Sequence, residues 1–380
     1  MSFILPTVLS AFAAAVVFTW LVRKAACAWG VLDHPDGVRK LHRAPIPLLG
    51  GVGVFGAWIV GMAVGAFYGP ESTPADASET LTVESRLAFA GGFGPSLFLA
   101  AGVLLLMGIL DDVVNLGPRW KLLGQTVVAV ILAAGGLMVK RLWLFGVTVD
   151  LGWIGFVFSV VWLVGSMNSI NMLDGLDGLA STLGLVIGLT LTWMAWLSGD
   201  TSLCVVSLAL AGALAGFLLF NFPPARIYLG DSGSMLIGLL IGAVAIKGSF
   251  KGPATAALAA PVAILALPIV DGLEAVIRRR LTGRAIWSAD RGHIHHCLQR
   301  FGWSSRQILF GIGALCAATG SAVLLSLYFR NEPIALAATL AVGIGCAATK
   351  LLDNHQLKEQ ADGHGTQSGR TPDSHKRTAA

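Results

Sequence analysis

Residues 95–112 run PSLFLAAGVLLLMGILDD. No charged side chain interrupts the chain between Arg86 and Asp111, and then two carboxylates arrive together. A helix of about 20 apolar residues crosses the hydrocarbon core of a bilayer. This run meets that length, so it is expected to cross a membrane and deliver Asp111 and Asp112 to one face. Runs of the same kind recur along the whole chain. Eleven spans are expected, at roughly residues 3–22, 46–68, 87–110, 120–139, 152–170, 179–198, 203–220, 234–250, 254–276, 307–328 and 332–352.

Composition agrees. Of 380 residues, 55% are hydrophobic and only 12% charged, against about 25% charged in an average soluble domain. Mean hydropathy is +0.75. A soluble all-helical protein has no way to bury so many long apolar runs. The fold class expected is therefore an all-α polytopic membrane protein of about eleven transmembrane helices. The N-terminus lacks a basic region and an Ala-x-Ala cleavage site, so the first apolar run reads as a retained span. From about Asp353 the chain turns to Gly, Ser, Thr, His and Lys, with little to bury. Residues 1–352 thus form the membrane domain, and 353–380 are expected to be a disordered tail. The stretch 142–151 fits a short hairpin.

The net charge is +5, and its placement matters more than its size. Eleven spans divide the connecting segments into two sets. One set collects 20 of the 26 Lys and Arg residues. The positive-inside rule makes that set cytoplasmic, with the N-terminus periplasmic and the C-terminus cytoplasmic. The charge thus reports topology, and no nucleic-acid partner is expected. The five cysteines are scattered without Cys-x-x-Cys spacing, which argues against a disulfide framework or a thiolate zinc site.

Polar residues in or beside spans are costly and mark function. Four clusters fall in the cytoplasmic set. Adjacent Asp111 and Asp112 repel each other, so a site holding both ionised wants a cation, or shares a proton. The plainer reading, a helix end in water, places acids against the macrodipole. In NSINMLDGLDGLA (168–180), Asn168, Asn171, Asp174 and Asp177 are spaced by three. On a helix they would follow one slowly turning face; a turn between spans is the alternative. In NFPPARIYLGDSGS (221–234), Gly230 and Gly233 bracket Asp231, with Ser232 and Ser234 beside it. Backbone N–H groups at the start of the next span suit a phosphate, and Asp231 suits a metal bound to that phosphate. Ser and Asp also cap helices. The fourth cluster, DRGHIHH (290–296), holds His293, His295 and His296. It lacks the helical His-x-x-x-His register of zinc hydrolases, and imidazoles also bind phosphate or carry protons. Two weaker signals are discounted. Gly51-Val52-Gly53-Val54-Phe55-Gly56 follows no strand, and Arg278-Arg279-Arg280 is a headgroup anchor.

The four clusters, in this order, resemble the polyprenyl-phosphate N-acetylhexosamine-1-phosphate transferases over about residues 30–300. The segment from Pro35 to His42, leading to Pro47 and Gly50-Gly51, is similar to that family's first cytoplasmic loop. The run His-Ile-His-His-Cys-Leu lies closer to the branch using UDP-GlcNAc than to the muramyl-pentapeptide branch. The resemblance implies transfer of HexNAc-1-phosphate, most simply GlcNAc-1-phosphate, from a UDP-N-acetylhexosamine to undecaprenyl phosphate with release of UMP. This is the first membrane step of a cell-envelope polysaccharide, at the cytoplasmic face of the bacterial inner membrane. It implies Mg²⁺, with Mn²⁺ as an alternative, held by Asp231 and Asn171. Asp111, Asp112, Asp174, His293, His295 and His296 would form the catalytic set. Lys40, Lys121, Asn168, Asp177, Gly230 and Ser232 would bind substrate, with Asp177 towards uridine and Lys121 neutralising phosphate. A homodimer rests on the resemblance alone. The alternatives are a muramyl-pentapeptide transferase and a transporter. The transporter predicts charges at mid-span and on both sides, whereas here they gather on one.

Overall fold

The computed structural model describes residues 2–34, 45–68, 93–144, 147–248, 262–263, 265–283, 292–329 and 331–367. Lys40, Asp290 and Arg291 lie outside them. Twelve helices appear among the described residues: α1 (Ile4–Trp29), α2 (Gly50–Tyr68), α3 (Phe93–Val114), α4 (Pro118–Ala134), α5 (Gly152–Leu173), α6 (Leu179–Leu197), α7 (Thr201–Asn221), α8 (Gly230–Gly248), α9 (Ala266–Leu281), α10 (Ile294–Arg300), α11 (Ser305–Phe329) and α12 (Glu332–Gln367). Two small antiparallel pairs join them. One is β1 (Leu32–Asp33) with β2 (Ile46–Pro47), and the other is β3 (Arg141–Leu144) with β4 (Val147–Asp150). The second pair is the hairpin expected across 142–151.

Nine of these helices are long and apolar enough to cross a membrane. Each coincides with an expected span. Of the other two expected spans, 120–139 is occupied by α4, which stops at Ala134 before Gly135 and Gly136. At 1.5 Å per residue its 17 residues rise about 26 Å. Of the span at 254–276, residues 254–261 and 264 lie outside the described residues. What is described there, α9, is amphipathic. It buries Ala266, Leu267, Asp271, Gly272, Ala275 and Arg279, while Leu273, Ile277 and Leu281 are exposed.

Helix ends follow backbone chemistry more than charge. The first helix runs seven residues past the expected Val22, through Arg23 and Lys24, and stops where Gly30 turns left-handed at φ 71°. The Lys24 ammonium lies 3.7 Å above the Trp20 ring, so the charge is accommodated without ending the helix. The last helix continues past Asp353 to Gln367. The tail boundary expected at 353 therefore falls inside a helix.

At the centre stands α8, packed against α2, α3, α5, α6 and α7. It is apolar on all sides, and almost every residue from Ser232 to Ile246 is buried, as expected of a helix without a solvent face. Small residues let its neighbours approach closely. A Cβ on Gly108 of α3 would lie 2.3 Å from Ser232 Cα, and one on Gly238 would lie 2.6 Å from Met167 Cα of α5. The outer helices expose Leu5, Leu9, Leu106, Phe310, Leu340 and Ile344, the apolar coat that lipid requires.

Candidate active site

The carboxylate clusters meet where α3 ends, α4 begins, α5 ends and α8 begins. Lys121, in the first turn of α4, donates from Nζ to Asp111 Oδ2 at 2.5 Å and to Asp231 Oδ2 at 2.5 Å. One ammonium thus bridges carboxylates 120 positions apart in sequence. Asn171 Nδ2 donates to Asp231 Oδ1 and, at 2.9 Å, to Ser234 Oγ. Asp111 Oδ1 is buried with no hydrogen-bond partner.

Asp112 has a different place. Its Oδ1 accepts from Asp231 N at 2.7 Å and its Oδ2 from Ser232 N at 3.3 Å. The backbone donors expected to cradle a phosphate at the start of α8 are therefore taken by the protein's own carboxylate. The pairing is favourable, because a helix N-terminus attracts negative charge. It also explains Gly230, whose φ is +74° and whose hypothetical Cβ would lie 2.5 Å from Asp112 Oδ2. Ser232 is fully buried beside that carboxylate.

The Asn/Asp series divides where α5 ends. Asn168 and Asn171 lie on the helix, Asp174 is its C-cap, and Asp177 sits in the turn before Gly178, whose φ is 74°. The four do not share one helical face. Asn168 faces α4, exchanging side-chain amide bonds with Gln125 at 2.7 and 3.4 Å and donating to Val164 O at 2.8 Å. Asp177 Oδ2 accepts from Ala225 N at 2.8 Å and holds the Pro223-Pro224 segment. Burial pushes the Asp174 carboxyl well above the ordinary carboxylate range, and the negative charges of Asp231, Asp112 and Asp177 act in the same direction.

Backbone bonds tie the strip after β2 to the same place. Tyr228 N donates to Pro47 O at 2.8 Å, Gly50 N to Tyr228 O at 3.0 Å and Gly51 N to Leu229 O at 2.9 Å. A Cβ on Gly51 would lie 2.3 Å from Gly233 N. The glycines of the GxGxxG match thus serve close backbone approach.

The histidines sit at the start of α10. His295 is buried, with neither ring nitrogen hydrogen-bonded. A Cβ on Gly175 would lie 2.8 Å from its Nε2, so the ring abuts the Asp174–Asp177 turn. Burial and the neighbouring His296 and His293 bring its pKa down to about 3, which keeps the ring neutral near pH 7. His293 stacks parallel to His295 at 5.9 Å, and its Nδ1 bonds Asp271 Oδ2 at 2.7 Å. His296 is more open, with Nδ1 3.2 Å from Gln299 Oε1.

Sequence reasoning missed Gln125, Asp271, Glu274 and Lys350. Asp271 is fully buried and also accepts from Ile294 N at 2.9 Å and Lys350 Nζ at 2.8 Å. The signal was present: Asp271 and Lys350 are charges inside apolar runs, which bilayer cost alone marks as functional or paired.

Asp111 and Asp231 share the Lys121 ammonium, and Asp112, Asp174 and Asp177 lie near enough to Asp231 and to one another for their negative charges to add. Such an excess calls for a cation or for protonation. No group of three His, Cys, Asp or Glu side chains among the described residues forms a metal cage. The donors are instead few and all hard: Asp231, the unpartnered Asp111 Oδ1 and the Asn171 amide. That set fits Mg²⁺, which takes one or two carboxylates and leaves its other positions to water and phosphate.

Residues 95–249 match the family model described as glycosyl transferase family 4. Over 294 residues the chain is 32% identical to a Bacillus subtilis protein named probable undecaprenyl-phosphate N-acetylglucosaminyl 1-phosphate transferase, covering 77% of this chain and 76% of the relative. It is 29% identical over 356 residues to the Mycobacterium tuberculosis decaprenyl-phosphate N-acetylglucosaminephosphotransferase, covering 86% and 83% of the two chains. It is 28% identical over 333 residues to the Escherichia coli undecaprenyl-phosphate alpha-N-acetylglucosaminyl 1-phosphate transferase, covering 86% and 84%.

Proposed function

Since the chain belongs to glycosyl transferase family 4, we propose that it transfers N-acetylglucosamine-1-phosphate from UDP-GlcNAc to undecaprenyl phosphate, releasing UMP. The observation that carries this reading is the Lys121 bridge between Asp111 and Asp231. There an ammonium and hard oxygen donors lie side by side where four helices end or begin, which supports a site for phosphates and their metal. The relatives' names supply the substrates; the site supplies a reason for them.

The reaction brings a phosphate anion against a diphosphate. An acceptor oxygen forms a bond to the β-phosphorus, the β-phosphorus–oxygen bond to UMP breaks, and UMP leaves with the electron pair. The acceptor's second pKa is about 6, so it is largely ionised and needs little base. The difficulty is repulsion, and preorganised positive charge meets it. Lys121 supplies one such charge. Asp231, Asn171 and Asp111 Oδ1 would hold Mg²⁺, which when bound draws charge from the diphosphate oxygens. Asp112, with both oxygens on backbone N–H groups, fixes the start of α8 and hence Asp231. This leaves Asp112 poorly disposed to act as a nucleophile and supports direct attack by the lipid phosphate.

The acceptor's polyprenyl tail needs an apolar path. Leu110, Val113, Val114, Trp120, Leu122 and Leu123 are exposed beside Asp111 and Lys121, and they suit a lipid chain entering from the bilayer. The donor is a soluble nucleotide, and the excess of Lys and Arg in the connections on the site's side supports a cytoplasmic orientation in the inner membrane.

Purified protein supplied with undecaprenyl phosphate, Mg²⁺ and a panel of UDP-sugars tests the reading through UMP release. Release with UDP-GlcNAc, abolished by EDTA and by Asp231→Asn, is the expected result. Release only with UDP-MurNAc-pentapeptide would keep the chemistry and change the donor. No lipid-dependent release from folded protein would refute the assignment.

A further inference from the structure

We propose that the last membrane helix, α12, positions the histidine segment over the site, through Lys350 acting on Asp271 and Asp353 acting on Arg300. The inference rests on the functional reading above and adds residues that lie outside the carboxylate cluster.

The histidines ride on a helix of only seven residues, Ile294–Arg300. A helix this short is not stable alone, so its ties decide where it sits. At its start, Asp271 of α9 accepts from His293 Nδ1 and Ile294 N, at 2.7 and 2.9 Å. At its end, Arg300 grips Asp353 of α12 as a fork, Nε to Oδ1 at 2.6 Å and Nη2 to Oδ2 at 2.5 Å. The two anchors are joined through α12, where Lys350 Nζ donates to Asp271 Oδ1 at 2.8 Å and to Glu274 Oε2 at 2.5 Å. Lys350 and Asp353 lie three apart on α12, as do Asp271 and Glu274 on α9, so each pair shares one helix face.

Charge explains why Lys350 matters beyond packing. Asp271 has no exposed surface, and an unpaired carboxylate there is strongly disfavoured. With Lys350 in place, Asp271 stays ionised and accepts a hydrogen bond from His293 Nδ1–H, leaving Nε2 as the basic nitrogen of that ring. Without the ammonium, the buried Asp271 carboxylate loses a neighbouring positive charge and α9 loses its tie to α12, so the anchor at the start of α10 is weakened. Between the two anchors lies His295, buried, unpartnered and against Gly175. A shift of α10 moves that ring relative to Asp174. Lys350, Asp353 and Asp271 are thus positioning residues for His293 and His295.

The test uses the full chain in detergent or lipid. It pairs steady-state kinetics with carbethoxylation of histidines by diethylpyrocarbonate, read by mass spectrometry. Lys350→Met is expected to lower kcat by about tenfold or more with KM for UDP-GlcNAc within about threefold, the signature of lost transition-state positioning. Labelling of His293 and His295 should rise severalfold, with His296 as the internal reference. Lys350→Arg should restore most of both. Arg300→Asp and Asp353→Arg should each lose protection, and the double charge swap should regain it. Wild-type kinetics and labelling in Lys350→Met would overturn the proposal, as would a swap no better than either single change. Should Lys350→Met not fold, the Arg300–Asp353 series decides. Wild-type protein that releases no UMP would sink the functional reading, and the labelling pattern would still decide the positioning role.

Discussion

Gly230→Ala isolates the joint between α3 and α8. Two costs add. An L-residue with a side chain at φ +74° pays about 1–2 kcal/mol for the left-handed backbone. The new methyl would then lie 2.5 and 2.8 Å from the two Asp112 carboxylate oxygens, well inside contact. The carboxylate cannot retreat without lengthening its bonds from Asp231 N and Ser232 N, and losing one charge-assisted bond costs about 1.5–3 kcal/mol. Together these reach about 2.5–5 kcal/mol, or roughly two to four powers of ten where the strain is borne by the site. UMP release and thermal unfolding, measured on one preparation, read the two ways the strain can appear. The expected result is a rate at least about 100-fold lower, or an unfolding midpoint several degrees lower. Gly102→Ala is the control, since a Cβ there meets nothing within 4 Å. A Gly230→Ala protein keeping more than about half the wild-type rate, with an unchanged midpoint, would refute the reasoning.

Lys121→Met removes the ammonium that bridges Asp111 and Asp231; turnover should fall by about 100-fold or more, and retention of a tenth of the wild-type rate would count against the bridge. Gln125→Ala strips Asn168 of its amide partner in a buried site and should lower stability by about 1–3 kcal/mol, read as a lower unfolding midpoint with KM unchanged. His295 supplies a pH test. Its folded pKa, about 3, lies below the unfolded value of about 6.5. The neutral ring's contribution is therefore complete above pH 6.5 and is lost as pH falls towards 3, at up to about 1.4 kcal/mol per pH unit. His295→Gln should flatten the decline in unfolding midpoint between pH 6.5 and 4, and an unaltered decline would show that another group titrates there. Asp174 works in the opposite sense: its raised pKa makes stability fall as pH rises above the ordinary carboxylate value, so Asp174→Asn should raise the midpoint at neutral pH while abolishing turnover.

The membrane architecture was legible because its signal is length and apolarity, and both are local. Every helix long enough to span coincides with an apolar run counted in the sequence. Boundaries were less legible because charge does not end a helix. Arg23 and Lys24 look like the end of the first span, yet the chain stays helical until Gly30 supplies the left-handed turn. The same holds for α12, which carries Lys350 and Asp353 inward to ion pairs before continuing to Gln367. Asp353 resembled the edge of a polar tail because its partner, Arg300, is far away in sequence.

The site divides along the same line. Which residues belong to it was visible from cost: a carboxylate at the end of an apolar helix needs a reason to be there. What each residue does depended on contacts no spacing encodes. Asp111 and Asp112 are indistinguishable in sequence, yet one faces Lys121 and the other closes the start of α8. A helix rotates side chains by 100° per residue, so adjacent carboxylates must point apart. The pair therefore divides the work that its repulsion suggested a shared cation would do. Asp111 remains available to ligand, and Asp112 spends its charge on the backbone that carries Asp231. Asn168 and Asn171 separate in the same way, the first paired with Gln125 and the second with Asp231. In both pairs one member is tied to the scaffold while the other faces the Lys121–Asp231 centre. On this division Asp112→Asn, which keeps one acceptor oxygen, should lose mainly stability, whereas Asp111→Asn should lose mainly turnover. Equal loss of turnover at equal stability in both variants would show that the two aspartates act as one unit.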